Sequence, residues 1–489
     1  MTALPAWLDP LYEAAEMRAA DAWAIEEQDV PEDDLMARAA LGLARLTAEL
    51  AGEGAIRIVV GKGNNGGDGR VAARILEEDG HEVELIDGTE PFDPGLLEGS
   101  GVVVDALLGT GFEGVPREPI ASAIAAINGQ DAPVVACDVP SGVNASTGEV
   151  EAEAVLATAT ATFHGSKVGL HVEPGKSHAG RVRVVEIGIP RGAPAPAAAG
   201  LISGRVLDLY PRRPRSGSKF DSGVVVVVGG STGLTGAPTM SARSAQRAGA
   251  GYVQVAVPGP VQQAVDLRLL EQMSRGLPDE DGFHTPAGVA DVEELAERAG
   301  AVVLGPGLGR TDGAQEFARG VAVAVEAPLL VDADGLNAHA GRLELFGERE
   351  APTVLTPHEA ELGRLLGREP EEVAAHRVAS AREAAERSGA IVVLKGDDTI
   401  VARPGGPLAI SPGGTPALAT AGTGDVLSGL IGALLAKRMD AFEAACLGVL
   451  AHVLAARAAA ERLGPDHVMA GDVIEALPHG LTLRATRLL

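Results

Sequence analysis

Glycine-punctuated segments carrying acids and amides recur through the first part of the chain. Ile56–Gly69 reads IRIVVGKGNNGGDG, Asp105–Gly111 reads DALLGTG, Asp138–Gly142 reads DVPSG and is followed by VNASTG, and Thr162–Leu170 reads TFHGSKVGL. In the first segment an apolar run passes into glycines that let main-chain N–H groups approach an anion, and a helix start behind them adds favourable partial charge. Gly61-x-Gly63-x-x-Gly66 formally matches the dinucleotide fingerprint, and Asp87 follows about 20 residues later, where a ribose ligand is expected. Taken alone, this stretch also suits a generic phosphate-binding loop or a purely structural turn. A P-loop is excluded, because no Gly-Lys-Ser/Thr follows. Asp105 and Asp138 each close an apolar run, and a strand-end Asp by itself can equally be a turn former. Together, Asn64, Asn65, Asp68, Asp105, Asp138 and Ser141 converge on one sheet edge and point to a ligand site. Lys167 is either a proton carrier or an exposed lysine that solvates its loop.

A second set lies further on: VVVVVGGSTGLTGA at Val224–Ala237, LGPGLG at Leu304–Gly309, LTPHEAE at Leu355–Glu361, LKGDDT at Leu394–Thr399 and ATAGTGDVLSG at Ala419–Gly429. The Gly422–Asp425 segment carries the most chemistry. Its glycines can present N–H groups at a helix start, an anion hole suited to a transferring phosphoryl group. Asp425 is placed to accept a proton from an attacking hydroxyl. The helix dipole should lower its pKa and make it a weak base, which phosphoryl transfer tolerates because positioning and charge stabilisation dominate. The same four residues could instead be a helix N-cap, and His358 could be a buried structural histidine.

These motifs need strands to carry them. In the first half, strands are expected at Ile56–Val60, His81–Ile86, Val102–Ala106 and Pro133–Cys137, with a helix over Arg70–Glu78. In the second, strands are expected at Val224–Val228, Tyr252–Val257, Ala301–Leu304, Pro328–Val331 and Ile391–Leu394. The five consecutive valines suit a central strand covered on both faces. Strands alternating with helices imply parallel sheets that bind ligands at the carboxyl ends of their strands. Pro190–Gly200 (PRGAPAPAAAG) has no periodicity and suits a linker. Pro211–Gly223 is loop-like, so the chain is divided near residue 203 into 1–203 and 204–489.

The 489 residues suffice for two to four domains at about 100–200 residues each. Aromatic residues make up only 3%, so the cores must be filled by Ala, Val, Leu and Ile. A formal net charge of −27 disfavours nucleic acid and anionic membrane as partners. Anionic small ligands would therefore be held by local N–H groups and helix N-termini. Cys137 and Cys446 form no disulfide framework or Cys-rich metal site, which fits a reducing, cytoplasmic setting. No signal peptide is visible at the N-terminus, and no uninterrupted apolar run reaches the roughly 18 residues of a membrane span.

The segments GKGNNGGDG, DALLGTG, DVPSGVN and TFHGSKVGL closely resemble the NAD(P)H-hydrate epimerase domain over roughly residues 10–190. The resemblance implies that Asn64, Asn65, Gly66, Gly67 and Asp68 hold the dinucleotide, together with the loop Gly109, Thr110, Gly111, Phe112, Glu113, Gly114 and Val115. Asp138 would lie beside the damaged ring, and Asn65, Asp105 and Ser141 would bind potassium, a hard cation suited to oxygen ligands. Epimerisation of the hydrated carbon needs a proton donor and acceptor, and Asp138, then Lys167, are the candidates.

GPGLG, TPHEAE, KGDDT and AGTGDVLSG resemble the ribokinase-like superfamily and, within it, the ADP-dependent NAD(P)H-hydrate dehydratases over roughly residues 205–485. By that resemblance Ala237, Gly307, His358 and Asp425 contact the hydrate. Lys395, Gly396, Asp397, Asp398, Thr399 and Gly424 contact the adenine nucleotide, and magnesium bridges its phosphates. Two departures stand out: Ser218-Lys219-Phe220 replaces an expected Ser/Thr-His-Lys-Gly element, and Gly414–Thr420 replaces an Asn-Pro-Gly-Met-Ala-Thr-like run. The implied architecture is α/β throughout, an N-terminal Rossmann-like three-layer domain followed by a ribokinase-like α/β domain with a central, mostly parallel sheet. The implied substrates are NADHX and NADPHX, the hydrates of NADH and NADPH, with ADP as co-substrate. A homo-oligomer is expected, although the residues do not set its size.

Three other readings compete. A vitamin or sugar kinase with a non-catalytic N-terminal binding domain shares the second fold but leaves the first motif set unexplained. A Rossmann dehydrogenase rests on the fingerprint and Asp87 and gives Gly422–Asp425 no task. An interaction scaffold would not need Asn65, Asp105, Asp138 and Ser141 together.

Overall fold

The computed structural model of the chain describes residues 4–482 except 53, 191, 194, 195 and 214. The chain packs as two compact units, one holding Pro10–Gly200 and the other Leu201–Leu489 with Pro5–Asp9. Part of the expected linker lies outside the described residues. Its end, Ala199–Gly200, already belongs to a buried strand, Ala199–Ile202.

The first unit is built on a six-stranded sheet whose spatial order is Val83–Asp87, Ala55–Val60, Ser100–Ala106, Val134–Cys137, Ala159–Phe163 and Arg181–Val185. All five pairings are parallel. Numbered along the chain this is 2-1-3-4-5-6, so the layers are Rossmann-like but the order is that of the other common doubly wound sheet. The order reverses between Ala55–Val60 and Ser100–Ala106, and a ligand crevice is expected outside that reversal. Side chains alternate between the sheet's faces. Val102, Val104 and Ala106 join a core with the helices Ala14–Glu26, Glu32–Leu50 and Asn64–Glu78. Val103 faces the opposite core with Ile124 and Ile127 of the helix Ile120–Asn128. Helix Glu32–Leu50 buries Leu35, Ala39, Leu43 and Leu46, an apolar stripe at helical spacing.

The expected strands are present with ends shifted by a residue or two. The helix expected at Arg70 begins six residues earlier, at Asn64. Its glycines hid it, since Gly normally weakens a helix interior. Here they are needed for close approach. A Cβ on Gly66 would lie 2.1 Å from the Gly61 carbonyl oxygen, and one on Gly69 would lie 2.8 Å from the Ala106 side chain.

In the second unit nine strands align in the order Met273–Leu277, Tyr252–Pro258, Val224–Val228, Ala301–Leu304, Leu329–Val331, Thr353–Leu355, Ile391–Leu394, Ile400–Ala402 and Leu408–Ile410. The first seven run parallel, and the last two turn back antiparallel. All five valines of Val224–Val228 are buried. Against this sheet lies the helix Thr423–Ala436, packed closely on Gly236–Arg247. The Ser241 hydroxyl donates to the Asp425 carbonyl at 2.9 Å, and a Cβ on Gly429 would lie 2.0 Å from the Ser241 carbonyl oxygen. The helix Ala441–Leu463 is long and apolar enough to cross a membrane, but 83% of its most apolar window is buried inside the protein, as in a core helix.

Candidate functional site

The exits of three strands in the first unit open into a cleft of about 820 Å³. One wall is the start of helix Asn64–Glu78. Its N-cap, Gly63, offers no side-chain cap to the first N–H groups, which are therefore available to an anion. Asn64, Asn65 and Asp68 line the cleft, as do Gly109, Thr110, Gly111, Phe112 and Glu113 of the loop after Ser100–Ala106. Gly66 and Gly67 do not line it. Gly66 packs on Gly61 and Gly67 faces Met36. Gly114 and Val115 also lie outside the lining, and Val115 is exposed.

Asp138 follows the strand Val134–Cys137 in a left-handed conformation, φ 65°, which Asp tolerates better than most residues. Its Oδ1 accepts from Lys167 Nζ at 2.5 Å, from Thr162 Oγ1 at 3.2 Å and from the Phe163 amide at 3.1 Å. Lys167 is not the exposed alternative considered above. It is 0% exposed, and its Nζ also donates to Thr162 Oγ1 and to the Phe163 carbonyl. Asp138 and Lys167 both line the cleft.

Behind them, Asp105 is fully buried and accepts from the Ser141 amide at 2.8 Å and hydroxyl at 2.6 Å and from the Leu107 amide at 3.2 Å. Burial pushes its carboxyl up to about 6, against those hydrogen bonds, which favour the charged form. Asn65 Nδ2 donates to the Leu108 and Cys137 carbonyls. Asn65 in the cleft lining and Ser141 and Asp105 behind it are joined through Leu108, whose carbonyl accepts from Asn65 and whose amide donates to Ser141 Oγ, and a buried carboxylate there with no ion pair among the described residues fits a monovalent cation.

Sequence reasoning missed the wall contributed by helix Ala14–Glu26, where Met17, Arg18 and Asp21 line the cleft. The available signal was an acid on the apolar stripe, since Asp21 stands four residues after buried Met17 and three before buried Ala24.

In the second unit the helix Thr423–Ala436 starts at Gly422, left-handed at φ 94° and without a side-chain cap. The segment is thus no side-chain N-cap, and the first N–H groups of the helix are left open, as an anion hole would require. The substituted loop before it is tied to the helix start, because Thr423 Oγ1 donates to the Leu418 and Thr420 carbonyls. Gly424 lies beside Lys395; a Cβ there would be 3.6 Å from Nζ. Lys395 Nζ is 3.0 Å from Asp332 Oδ1 and 3.6 Å from Glu361 Oε2. Asp332 Oδ2 accepts from Ser428 Oγ at 2.6 Å, which fixes the helix to the lysine. Asp332 and Glu361 were given no role by the motif reading. Asp332 follows the strand Leu329–Val331, the strand-end position occupied by Asp138 in the first unit.

The expected fall in the Asp425 pKa is overturned. Burial, then the charge of Asp332, raise it to about 7, with Glu361 and Asp334 adding and Lys395 opposing. Desolvation outweighs the helix dipole here, and the group is a stronger base than expected. His358 is exposed rather than buried. Its Nδ1 caps the helix Glu359–Leu366 by accepting from the Ala360 and Glu361 amides. Ala237 and Gly307 are neighbours, with 3.2 Å between the Ala237 Cβ and a Cβ built on Gly307.

The KGDDT segment divides. Lys395 faces the cluster, Gly396 packs against the Arg377 and Asp398 side chains, and Asp397 accepts from the Gly414 amide. Asp398 is 1% exposed in an ion pair with Arg377 at 2.9 Å, and Thr399 Oγ1 donates to the Gly396 carbonyl. The last two therefore shape the loop. Lys219 lies over the rings of Phe220 and Tyr252, before the strands begin and at the opposite end of the sheet from Asp425.

The family described as NAD(P)H-hydrate dehydratase matches residues 225–479, and the YjeF-related protein N-terminus matches residues 32–96 and 87–169. A bifunctional NAD(P)H-hydrate repair enzyme of Salinibacter ruber is 38% identical, with 96% of this chain and 95% of that protein covered. The chain belongs to the bifunctional NAD(P)H-hydrate repair enzyme family. The Escherichia coli relative of the same description is 34% identical, over 86% of this chain and 84% of its own. Among solved structures, an ADP/ATP-dependent NAD(P)H-hydrate dehydratase from Bacillus subtilis, co-crystallised with ATP and Mg²⁺, is 27% identical at a TM-score of 0.50 and covers 57% of this chain and 96% of that one. Family membership accounts for both motif sets, which the kinase, dehydrogenase and scaffold readings do not.

Proposed function

We propose that the N-terminal unit interconverts the R and S hydrates of NADH and NADPH, and that the C-terminal unit dehydrates the S hydrate with ADP, releasing AMP and phosphate. One observation carries this. In each unit an uncapped helix N-terminus opens beside a lysine–aspartate pair, buried Lys167–Asp138 in one and half-buried Lys395 with buried Asp332 in the other. Each pairing joins a phosphate cradle to a charged group able to act on the attached ring.

In the first unit, N–H groups of the Asn64 helix hold the dinucleotide's phosphates, and Asp138, oriented by Lys167, Thr162 and Phe163, takes the proton of the hydroxyl on the hydrated carbon. Asn65, Asp105 and Ser141 would hold potassium, whose charge would offset buried Asp105 and nearby phosphate. In the second unit, the N–H groups at Gly422–Gly424 hold the transferring phosphoryl group. Asp425 removes the proton of the ring hydroxyl, and Lys395 balances charge near the nucleotide. Phosphate is then a better leaving group than hydroxide. Asp425 or Asp332 would supply a carboxylate for magnesium, which would neutralise charge on the nucleotide phosphates.

The test is to give the purified chain an epimeric mixture of hydrate with ADP, ATP or neither, following dihydropyridine absorbance and epimer ratio. Full conversion of both epimers with a nucleotide, and epimer exchange without one, is expected. Replacing potassium by tetramethylammonium should slow exchange and leave dehydration of the S hydrate intact. A phosphorylated product accumulating without restored absorbance would instead establish a kinase.

A further inference from the structure

The cleft of the first unit holds acids beyond Asp138. Asp68, in the helix Asn64–Glu78, lines it with 7% exposure and forms no hydrogen bond or ion pair among the described residues. Asp21, in the helix Ala14–Glu26, lines it as well and is likewise without such a partner. A buried carboxyl left without donors is costly unless it is neutral or serves a ligand. Asp138 differs, since its neighbours Lys167, Thr162 and Phe163 all donate to it, as they would to a carboxylate. One cleft therefore carries a carboxylate set up to accept a proton and a carboxyl set up to give one.

We infer that Asp68 is the proton donor of epimerisation, working with Asp138 in the same cleft, and that Asp21, a further carboxyl of that lining, is a positioning residue for it. The inference rests on the epimerase reading of this cleft. The hydrate carries its hydroxyl on the carbon beside the ring nitrogen. Asp138 takes the hydroxyl proton, the carbon–oxygen bond becomes a carbonyl, and the carbon–nitrogen bond breaks. The bonding pair moves to nitrogen, which takes the proton of Asp68. Rotation of the freed aldehyde and reversal of each transfer close the ring on the other face, so that protons and electrons balance and no co-reactant is consumed.

The electrostatics agree. Burial, then the charges of Asp138 and Asp21, raise Asp68 to about 8, and burial raises Asp21 to about 6. Pairs of carboxyls whose surroundings separate their proton affinities recur as acid and base partners. The titratable and charged groups around Asp68 are Asp21 and Arg18 on one helix, Glu32 on the next, Lys62 before its own helix, Glu113 on the facing loop, Cys137 and Asp138 at the strand exit, and Lys167.

The experiment uses the full chain and measures epimer exchange across pH, hydrate binding by calorimetry, and S-hydrate dehydration with ADP as an internal check on folding. Asp68→Asn should lower the exchange rate by about 10²-fold or more, the usual contribution of a general acid. Dehydration, which belongs to the other unit, should be retained. The wild-type rate should fall as pH rises through about 8, and Asp21→Asn should move that fall to lower pH, because a neighbouring negative charge is removed. Wild-type exchange by Asp68→Asn, or an unmoved alkaline limb in Asp21→Asn, overturns the inference. Absence of exchange in the wild-type chain overturns instead the epimerase reading beneath it.

Discussion

Lys167 Nζ lies 2.5 Å from Asp138 Oδ1, with the lysine side chain wholly buried and the aspartate 12% exposed. Removing one partner of such a pair leaves a buried charge uncompensated, which costs about 3–5 kcal/mol. Lys167→Met should therefore destabilise the N-terminal unit by about that amount and abolish epimer exchange. Urea unfolding followed by a probe in that unit checks the first expectation. Adding Asp138→Asn should recover part of the stability and none of the activity. A single variant as stable as the wild type would mean that the pair is not buried as described.

The glycines of the anion-binding turn are not equivalent. A Cβ on Gly66 would sit 2.1 Å from the Gly61 carbonyl oxygen, whereas one on Gly63 meets nothing within 4 Å. Gly66→Ala must displace the turn, and overpacking of this kind costs about 1–3 kcal/mol. Gly63→Ala should leave the melting temperature unchanged while raising KM for the hydrate, since a methyl would crowd the uncapped N-terminus. Calorimetric melting alongside steady-state exchange kinetics separates the two effects.

Much of this was legible in the residues because short apolar runs and strand-end acids are local signals. The strand carrying Asp105 and the one ending just before Asp138 could be placed from sequence, and so could Val224–Val228. The start of helix Asn64–Glu78 could not, because its glycines serve contacts with Gly61 and Ala106 that only the folded chain creates. Nor could the burial of Lys167 or the Asp332–Lys395–Ser428 link, which joins residues up to 96 positions apart. The fall expected in the Asp425 pKa failed for a related reason. A helix dipole can be inferred from a motif, but the desolvation and the acids of other strand exits that outweigh it cannot.

Arg377 and Asp398 form an ion pair in which both side chains are 2% exposed, at 2.9 Å between Nε and Oδ2. The pair holds the segment after Lys395, because Arg377 also donates to the Lys395 carbonyl. Arg377→Met should destabilise the C-terminal unit by about 3–5 kcal/mol, the cost of stranding a buried carboxylate. It should also raise KM for ADP without lowering epimer exchange. Unchanged nucleotide kinetics in a destabilised variant would show that the loop's shape does not govern nucleotide binding.

Asp425 acts as a base only when ionised, and burial with Asp332 nearby raises its carboxyl to about 7. Dehydration of S hydrate under saturating ADP should therefore increase with pH, half-complete near 7, well above the ordinary Asp range near 4. Asp425→Asn should reduce dehydration by about 10²–10⁴-fold and leave epimer exchange untouched, since that chemistry belongs to the other unit. Asp332→Asn tests the cause of the shift. It removes a negative charge beside Asp425, so the midpoint should move to lower pH, even as Lys395 loses a partner and the maximal rate falls. A profile already flat from pH 5 in the wild type would show that the helix dipole, not desolvation, sets the proton affinity of this aspartate.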